Sequence, residues 1–228
     1  MQYNRMLRIS TAGGRKATHW PKSEILWSEF VEKLKTPVRG VESLEEYLAL
    51  PKSRQDELKD VGGFVGGTFA GDRRKAANVE GRDLVTLDLD HIPAGQTEDI
   101  LRRVEGLGCA AAVYSTRKHA GYAPRLRVVI PLDRTGTADE YEPAARKLAC
   151  LIGIGFCDPT TFEASRLMYW ASCCSDSQYV SEAYDRPFCS LDGLLSMYGD
   201  WHDITQWPQV PGEDAGYFQA GNRNRRYI

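Results

Sequence analysis

The stretch Leu84-Val-Thr-Leu-Asp-Leu-Asp90 ends in two carboxylates at i and i+2. Its apolar residues mark a buried strand, and the period of two along a strand puts Thr86, Asp88 and Asp90 on one face. Two like charges on one face repel each other unless something positive lies between them. A divalent cation is the simplest remedy: Mg²⁺ or Mn²⁺ takes oxygen ligands and keeps positions open for substrate phosphates. The pair also reads as a solvated strand end, and metal-dependent nucleases and glycosyltransferases use D-x-D as well.

A second cluster is basic. From Ser115 to Leu132 the chain carries Arg117, Lys118, His119, Arg125 and Arg127 and no acid. If Ala110 to Ser115 and Leu126 to Leu132 are paired strands, these side chains concentrate positive charge at one end of a hairpin, which suits a triphosphate. The bland alternative is a solvated basic turn with His119 exposed. The third cluster is Asp158, on a loop before Thr160-Thr-Phe-Glu-Ala-Ser-Arg166. A third carboxylate completes a two-metal site, although Asp before Pro is also a common turn starter and Glu163 is a competing ligand. Arg166 suits a phosphate, a template strand or a structural ion pair. Arg73, Arg74 and Lys75 form a separate basic patch that suits either a template backbone or solvent.

The elements that position these residues follow from periodicity. Residues 22–35 place Ile25, Leu26, Phe30, Val31 and Leu34 on one helical stripe, with Ser23 and Glu24 at its start. Segments 43–50 and 52–59, parted by Pro51, read as short helices, and the Gly-rich run from Gly62 to Gly67 ends the helical part. Helices are expected over 97–106, 138–152 and 191–199, and a strand over 166–170. The expectation is one catalytic domain over 1–200, with a helical N-terminal portion (1–61) and a core (62–200), and a linker or C-terminal tail over 201–228 that carries Arg223, Arg225 and Arg226. Trp20, Trp27, Trp170, Trp201 and Trp207 are for the most part better explained as core than as base-stacking platforms.

Composition bounds the rest. The 228 residues are 42% hydrophobic, enough to bury a substantial core. A net charge of −2 means that nucleic-acid binding must rest on local basic clusters rather than on a global field. No apolar run is long enough for a membrane span, and the start MQYNRMLRIST lacks a secretory h-region, so a cytoplasmic location is expected. The 6 cysteines include no C-x-x-C pair and read as reduced packing residues. A zinc site from Cys173, Cys174, Cys189 and His202 lacks a recognisable ligand spacing.

The order of the clusters, a strand ending in D-x-D, a strand leading into a small-residue and histidine motif, then an isolated acid, resembles the three motifs of the archaeo-eukaryotic primase (AEP) superfamily. More narrowly, Tyr114-Ser-Thr-Arg-Lys-His119, Pro124-Arg-Leu-Arg-Val-Val-Ile-Pro-Leu132 and Thr160-Thr-Phe-Glu-Ala-Ser-Arg-Leu-Met-Tyr-Trp170 look like the primase-polymerase domains joined to virulence-associated E or superfamily 3 helicases in phages and mobile elements. The resemblance implies an α+β fold whose AEP core is an RRM-like mixed or antiparallel sheet flanked by helices. It implies metal-dependent, template-directed nucleotidyl transfer, as DNA primase, DNA polymerase or both. Asp88, Asp90 and Asp158 would bind two Mg²⁺ or Mn²⁺ ions, and His119, with Arg125 or Arg127, would contact the incoming nucleotide's phosphates. The partners implied are nucleoside triphosphates, a single-stranded DNA template and a helicase domain or protein. The family's second motif reads small-x-His, whereas Arg117 stands two before His119, which leaves Ser115 or Thr116 as the small residue at another offset. Readings outside this family are a D-x-D nuclease or glycosyltransferase, and a non-catalytic replication-initiator module that binds nucleic acid.

Overall fold

The computed structural model describes residues 1–213. The chain opens on an antiparallel hairpin, β1 (Met6–Ala12) with β2 (Lys22–Leu26), and not on a helix. The helix expected over 22–35 is a strand followed by a shorter helix, α1 (Trp27–Lys35), so the helical reading of 1–61 is corrected at its start. The reason is a partner that lies outside the 22–35 window. Ile25 and Leu26 pair with Leu7 and Met6, and Leu7 and Ile9 are buried. The same hairpin starts α1: Asn4 Oδ1 accepts from Ser28 N at 3.0 Å and Glu29 from Leu26 N at 3.2 Å. Trp27, Phe30, Val31 and Leu34 then face the interior.

A short strand, β3 (Val38–Arg39), leads to α2 (Leu44–Ala49) and α3 (Lys52–Leu58), where the two short helices were expected. Ser43 caps α2 reciprocally with Glu46, each side chain accepting from the other's backbone N–H. The Gly-rich run forms β4 (Gly63–Val65) and β5 (Gly67–Phe69). Glycine is needed at position 67 because a Cβ there would collide with the Gly81 carbonyl.

The core follows as β6 (Val79–Leu89), α4 (Thr97–Glu105), β7 (Ala111–Ser115), β8 (Leu126–Gly136) and α5 (Ala138–Ile152). The short strands β9 (Met168–Tyr169) and β10 (Ser172–Cys173), then β11 (Ser181–Tyr184) and α6 (Leu191–Leu195), complete it. The main sheet is antiparallel with the order β11-β7-β8-β6-β5. This is an α+β fold, with a strand-helix-strand-strand-helix run as its RRM-like centre.

Alternation along the strands divides the packing. Val85, Leu87, Val113, Val128 and Ile130 pack on α4 and α5 through Ile100, Val104, Tyr141 and Leu148. Leu84, Ala112, Tyr114 and Val129 point the other way, onto Leu7, Ile9, Phe30, Phe64 and Trp170. Those last residues belong to α1 and to a second sheet, ordered β2-β1-β4-β9, or lie beside it. Each fully buried Leu or Phe contributes about 1.5–3 kcal/mol, and this apolar layer pins the N-terminal sheet to the core.

Of the segment 201–228, expected as a linker or C-terminal tail, residues 201–213 pack against the core. Trp207 and Val210 are buried, and Glu213 pairs with the buried Arg146 of α5 at 2.9 Å, while Pro208 O accepts from the same guanidinium at 3.0 Å. A cation buried in α5 draws that segment onto the domain. Arg223, Arg225 and Arg226 lie outside the described residues.

Candidate active site

β6 pairs Asp88 with Arg127 of β8, and β8 pairs Arg127 with Tyr114 of β7. Residues directly opposite in a sheet share a face, so Asp88, Arg127 and Tyr114 form a cross-strand row. Asp90 continues that face past the end of β6, and Arg125 does so just before β8. The third acid arrives by backbone. Asp158 N donates to Asp88 O at 2.9 Å, Asp90 N donates to Phe156 O at 3.0 Å, and Cys157 bridges Leu89. Residues 156–158 thus run along the end of β6, and that ladder puts Asp158 beside Asp88.

Each carboxylate has its own guanidinium. Arg127 Nε and Nη2 reach the two Asp88 oxygens at 3.2 and 3.4 Å, Arg125 Nη1 reaches Asp90 at 2.8 Å, and Arg166 Nη2 reaches Asp158 at 3.1 Å. The other Asp158 oxygen accepts from Thr160 N and Oγ1 at 2.9 and 2.8 Å. Burial pushes the Asp88 carboxyl above its ordinary value; Arg127 opposes the shift and Asp90 adds to it. These are hard oxygen donors, and Mg²⁺ commonly uses only one or two protein carboxylates, with water and substrate phosphates completing its shell. Asp88 and Asp90 fit that ion in kind. Among the described residues no group of three or more His, Cys, Asp or Glu side chains is placed to enclose a metal ion.

The three aspartates line one cleft of about 580 Å³, together with Arg74, Ser115, Arg117, Arg125, Arg127, Glu163 and Arg166. Not all of these face a ligand. Ser115 Oγ accepts from Val180 N at 3.0 Å and so ties β11 to β7. Arg117 donates through Nη2 to Glu42 and lies over the Tyr47 ring at 5.3 Å, which joins the hairpin to α2. Burial works against the Glu42 charge, and the Arg117 hydrogen bond offsets it, leaving the carboxyl below its ordinary value. Arg74 Nη1 donates to Ser165 O at 3.2 Å, while Arg73 and Lys75 are exposed and do not line the cleft.

His119 lies apart from the acids. Arg125 N–H donates to its Nδ1 at 3.2 Å, and the ring borders a second cavity of about 340 Å³ with Glu98, Asp176 and Gln178. Burial holds its imidazole below the ordinary value. The turn that His119 ends, with His119 N donating to Thr116 O at 2.9 Å, carries Lys118 into the main cleft.

Sequence reasoning missed the N-terminal wall of the cleft: Arg15 and Lys16 after β1, Lys52 and Asp56 on α3 with Lys59 just past its end, and Tyr169 on β9. The one legible signal was the i, i+4, i+7 spacing of Lys52, Asp56 and Lys59, which puts them on one helix face. Its direction toward the acids depends on how α3 docks. The cysteines do not assemble as ligands. Cys109 and Cys189 lie in the main core cluster, without Cys173 and Cys174, and burial pushes the Cys157 thiol, beside Asp88 and Asp158, up to about 12.

The sequence profile of the VapE N-terminal domain family matches residues 1–210. The chain belongs to that family. The matched span takes in every strand and α1–α6 of the described residues, so in this VapE N-terminal domain the β1–β2 hairpin and the α2–α3 pair lie inside the span that defines the family. Among solved structures, the AEP domain of the cyanophage S-2L primase-polymerase (PrimPol) aligns with 84% of this chain and 88% of its own, at 11% identity and a TM-score of 0.43. At that distance the likeness carries no argument about function. No curated protein matches the chain.

Proposed function

We propose that this VapE N-terminal domain is a metal-dependent, template-directed nucleotidyltransferase, a DNA primase, DNA polymerase or both, serving the replication of a phage or mobile element. The observation that carries the reading is the convergence of Asp88, Asp90 and Asp158 on one cleft whose other charged groups are mostly basic. Asp88 and Asp90 would hold a Mg²⁺ or Mn²⁺ ion and Asp158 would complete a two-metal site. Bound there, the metal would activate a 3′-hydroxyl and offset the charge of the leaving pyrophosphate.

The chain's own residues supply position and charge, which is most of what phosphoryl transfer requires. Arg125, Arg127 and Arg166, now on the carboxylates, are the donors at hand for phosphate oxygens. Arg74, with the flanking Arg73 and Lys75, is assigned to the single-stranded template. His119 acts as a positioning residue: its ring holds the Arg125 backbone and so fixes the loop that presents Lys118 and Arg125. A helicase domain or protein is the partner assigned to the VapE N-terminal domain.

Primer extension and de novo priming test the proposal, with Asp88→Ala and Asp90→Ala as controls. Either substitution is expected to abolish synthesis while the circular dichroism spectrum stays unchanged. Retained synthesis in both variants would end the reading. A second reading, a nucleic-acid-binding module without catalysis, is favoured by the guanidinium on each carboxylate. It gains if the wild type binds DNA yet makes no product with any template, nucleotide or metal.

A further inference from the structure

Lys52 at the start of α3 and Lys59 just past its end meet the same atom: Asp56 Oδ1 lies 2.9 Å from one ammonium and 2.8 Å from the other. Two cations therefore converge on one point with a single carboxylate between them, and one positive charge is left over. Lys118, on the hairpin loop, lines the same cleft. Burial holds its ammonium below the ordinary value, and the charges of Lys52, Arg125 and Lys59 add to the effect. Arg117 lines the same cleft; its side chain is only 4% exposed, and its Nε and Nη1 have no hydrogen-bond partner. Buried donors without acceptors are costly. Crowded cations and orphaned donors together call for an anion with several oxygens.

The shape of the cluster decides which anion. A nucleic-acid strand spreads its phosphates along a groove, and proteins track it with basic residues placed in series. Lys52 and Lys59 instead point at one atom, and Lys118 lies close to Arg125, the partner of Asp90. Consecutive phosphates of one small molecule, next to the carboxylates that would hold metal, match that compactness.

We propose that Lys52, Lys59 and Lys118 form the subsite for the triphosphate of the incoming nucleotide, with the Asp56 carboxylate occupying its place until the nucleotide arrives. The nucleotide rests on the nucleotidyltransferase reading, whereas the polyphosphate subsite does not. Removing two lysines weakens polyphosphate binding. Neutralising Asp56 frees both ammoniums and strengthens it, which a merely structural role for these residues would not do.

The test is titration calorimetry of the whole chain with inorganic tripolyphosphate without metal, alongside fluorescence anisotropy with a single-stranded oligonucleotide. Lys59→Ala/Lys118→Ala is expected to weaken tripolyphosphate binding about tenfold, and by more than it weakens oligonucleotide binding. Asp56→Asn is expected to tighten tripolyphosphate binding about twofold to fivefold. If the double variant does not fold, Lys52→Ala carries the same comparison, since that side chain is 69% exposed. The proposal is overturned if the wild type does not bind tripolyphosphate, if Asp56→Asn weakens binding or leaves it unchanged, or if the lysine variants lose no more for tripolyphosphate than for DNA. The last result assigns the lysines to the template. A wild type that binds tripolyphosphate through these lysines but synthesises nothing leaves the subsite standing and removes the nucleotidyltransferase reading; active synthesis with unaffected lysine variants does the reverse.

Discussion

Asp88 and Asp56 are both carboxylates among cations, yet they shift in opposite directions. Asp88 is buried on a sheet face, where desolvation outweighs Arg127 and raises its carboxyl. Asp56 sits on a helix surface, where hydrogen bonds from Lys59 and Lys52 lower it to about 2. The consequences with pH differ in sign. A cation needs Asp88 ionised, and a raised carboxyl is protonated sooner as pH falls. Metal affinity is thus expected to fall on the acid side at a pH above the ordinary carboxylate value of about 4; metal titrations whose affinity holds down to that value would contradict the burial effect. Asp56 has a folded-state value below the unfolded one, so its contribution to stability is full above about 4 and disappears as pH falls toward about 2. Asp56→Asn is therefore expected to lower the thermal midpoint at pH 7 and to match the wild type near pH 2, as calorimetric melts would show.

At the scale of elements, the α2–α3 pair is tied to the core by the ion pair of buried Arg117 with half-buried Glu42, by Leu44 N donating to Asp176, and by the parallel β3–β10 pairing. Removing one member of a buried pair leaves the other charge uncompensated. Glu42→Gln is expected to cost about 3 kcal/mol in urea unfolding, and Glu42→Leu with Arg117→Met should recover most of it. A loss below about 0.5 kcal/mol, typical of a solvated pair, would mean that other contacts hold these helices. This element also marks the limit of what the chain's linear pattern tells. The strand bearing Asp88 and Asp90, the hairpin bearing Arg125 and Arg127, and helices α4 and α5 are legible because each is periodic within its own window. The β1–β2 hairpin is not, because Ile25 and Leu26 suit a helix stripe as well as a strand, and only Leu7 and Met6 opposite them decide. The convergence of the aspartates was legible as cluster order. The placement of His119 and the entry of Lys52 and Lys59 were not, since both follow from docking angles and not from spacing.

For the whole molecule, residues 201–213 pack against the core. Arg146 is 1% exposed and draws on Glu213 and Pro208. A chain ending at residue 200 should lose that pairing and the burial of Trp207 and Val210, at a cost of about 3 kcal/mol or more. Equal unfolding midpoints for chains ending at 200 and at 213 would show that the segment contributes nothing.

The guanidinium on each aspartate has one more consequence. A cation that takes the carboxylates sets three arginines free, and an anion that takes the arginines sets three carboxylates free. By linkage, the factor by which one ligand changes the affinity of the other would be the same in both directions. If both bind, the cleft would act as a two-key lock, and calorimetry with each ligand in the presence of the other would measure the same coupling from either side.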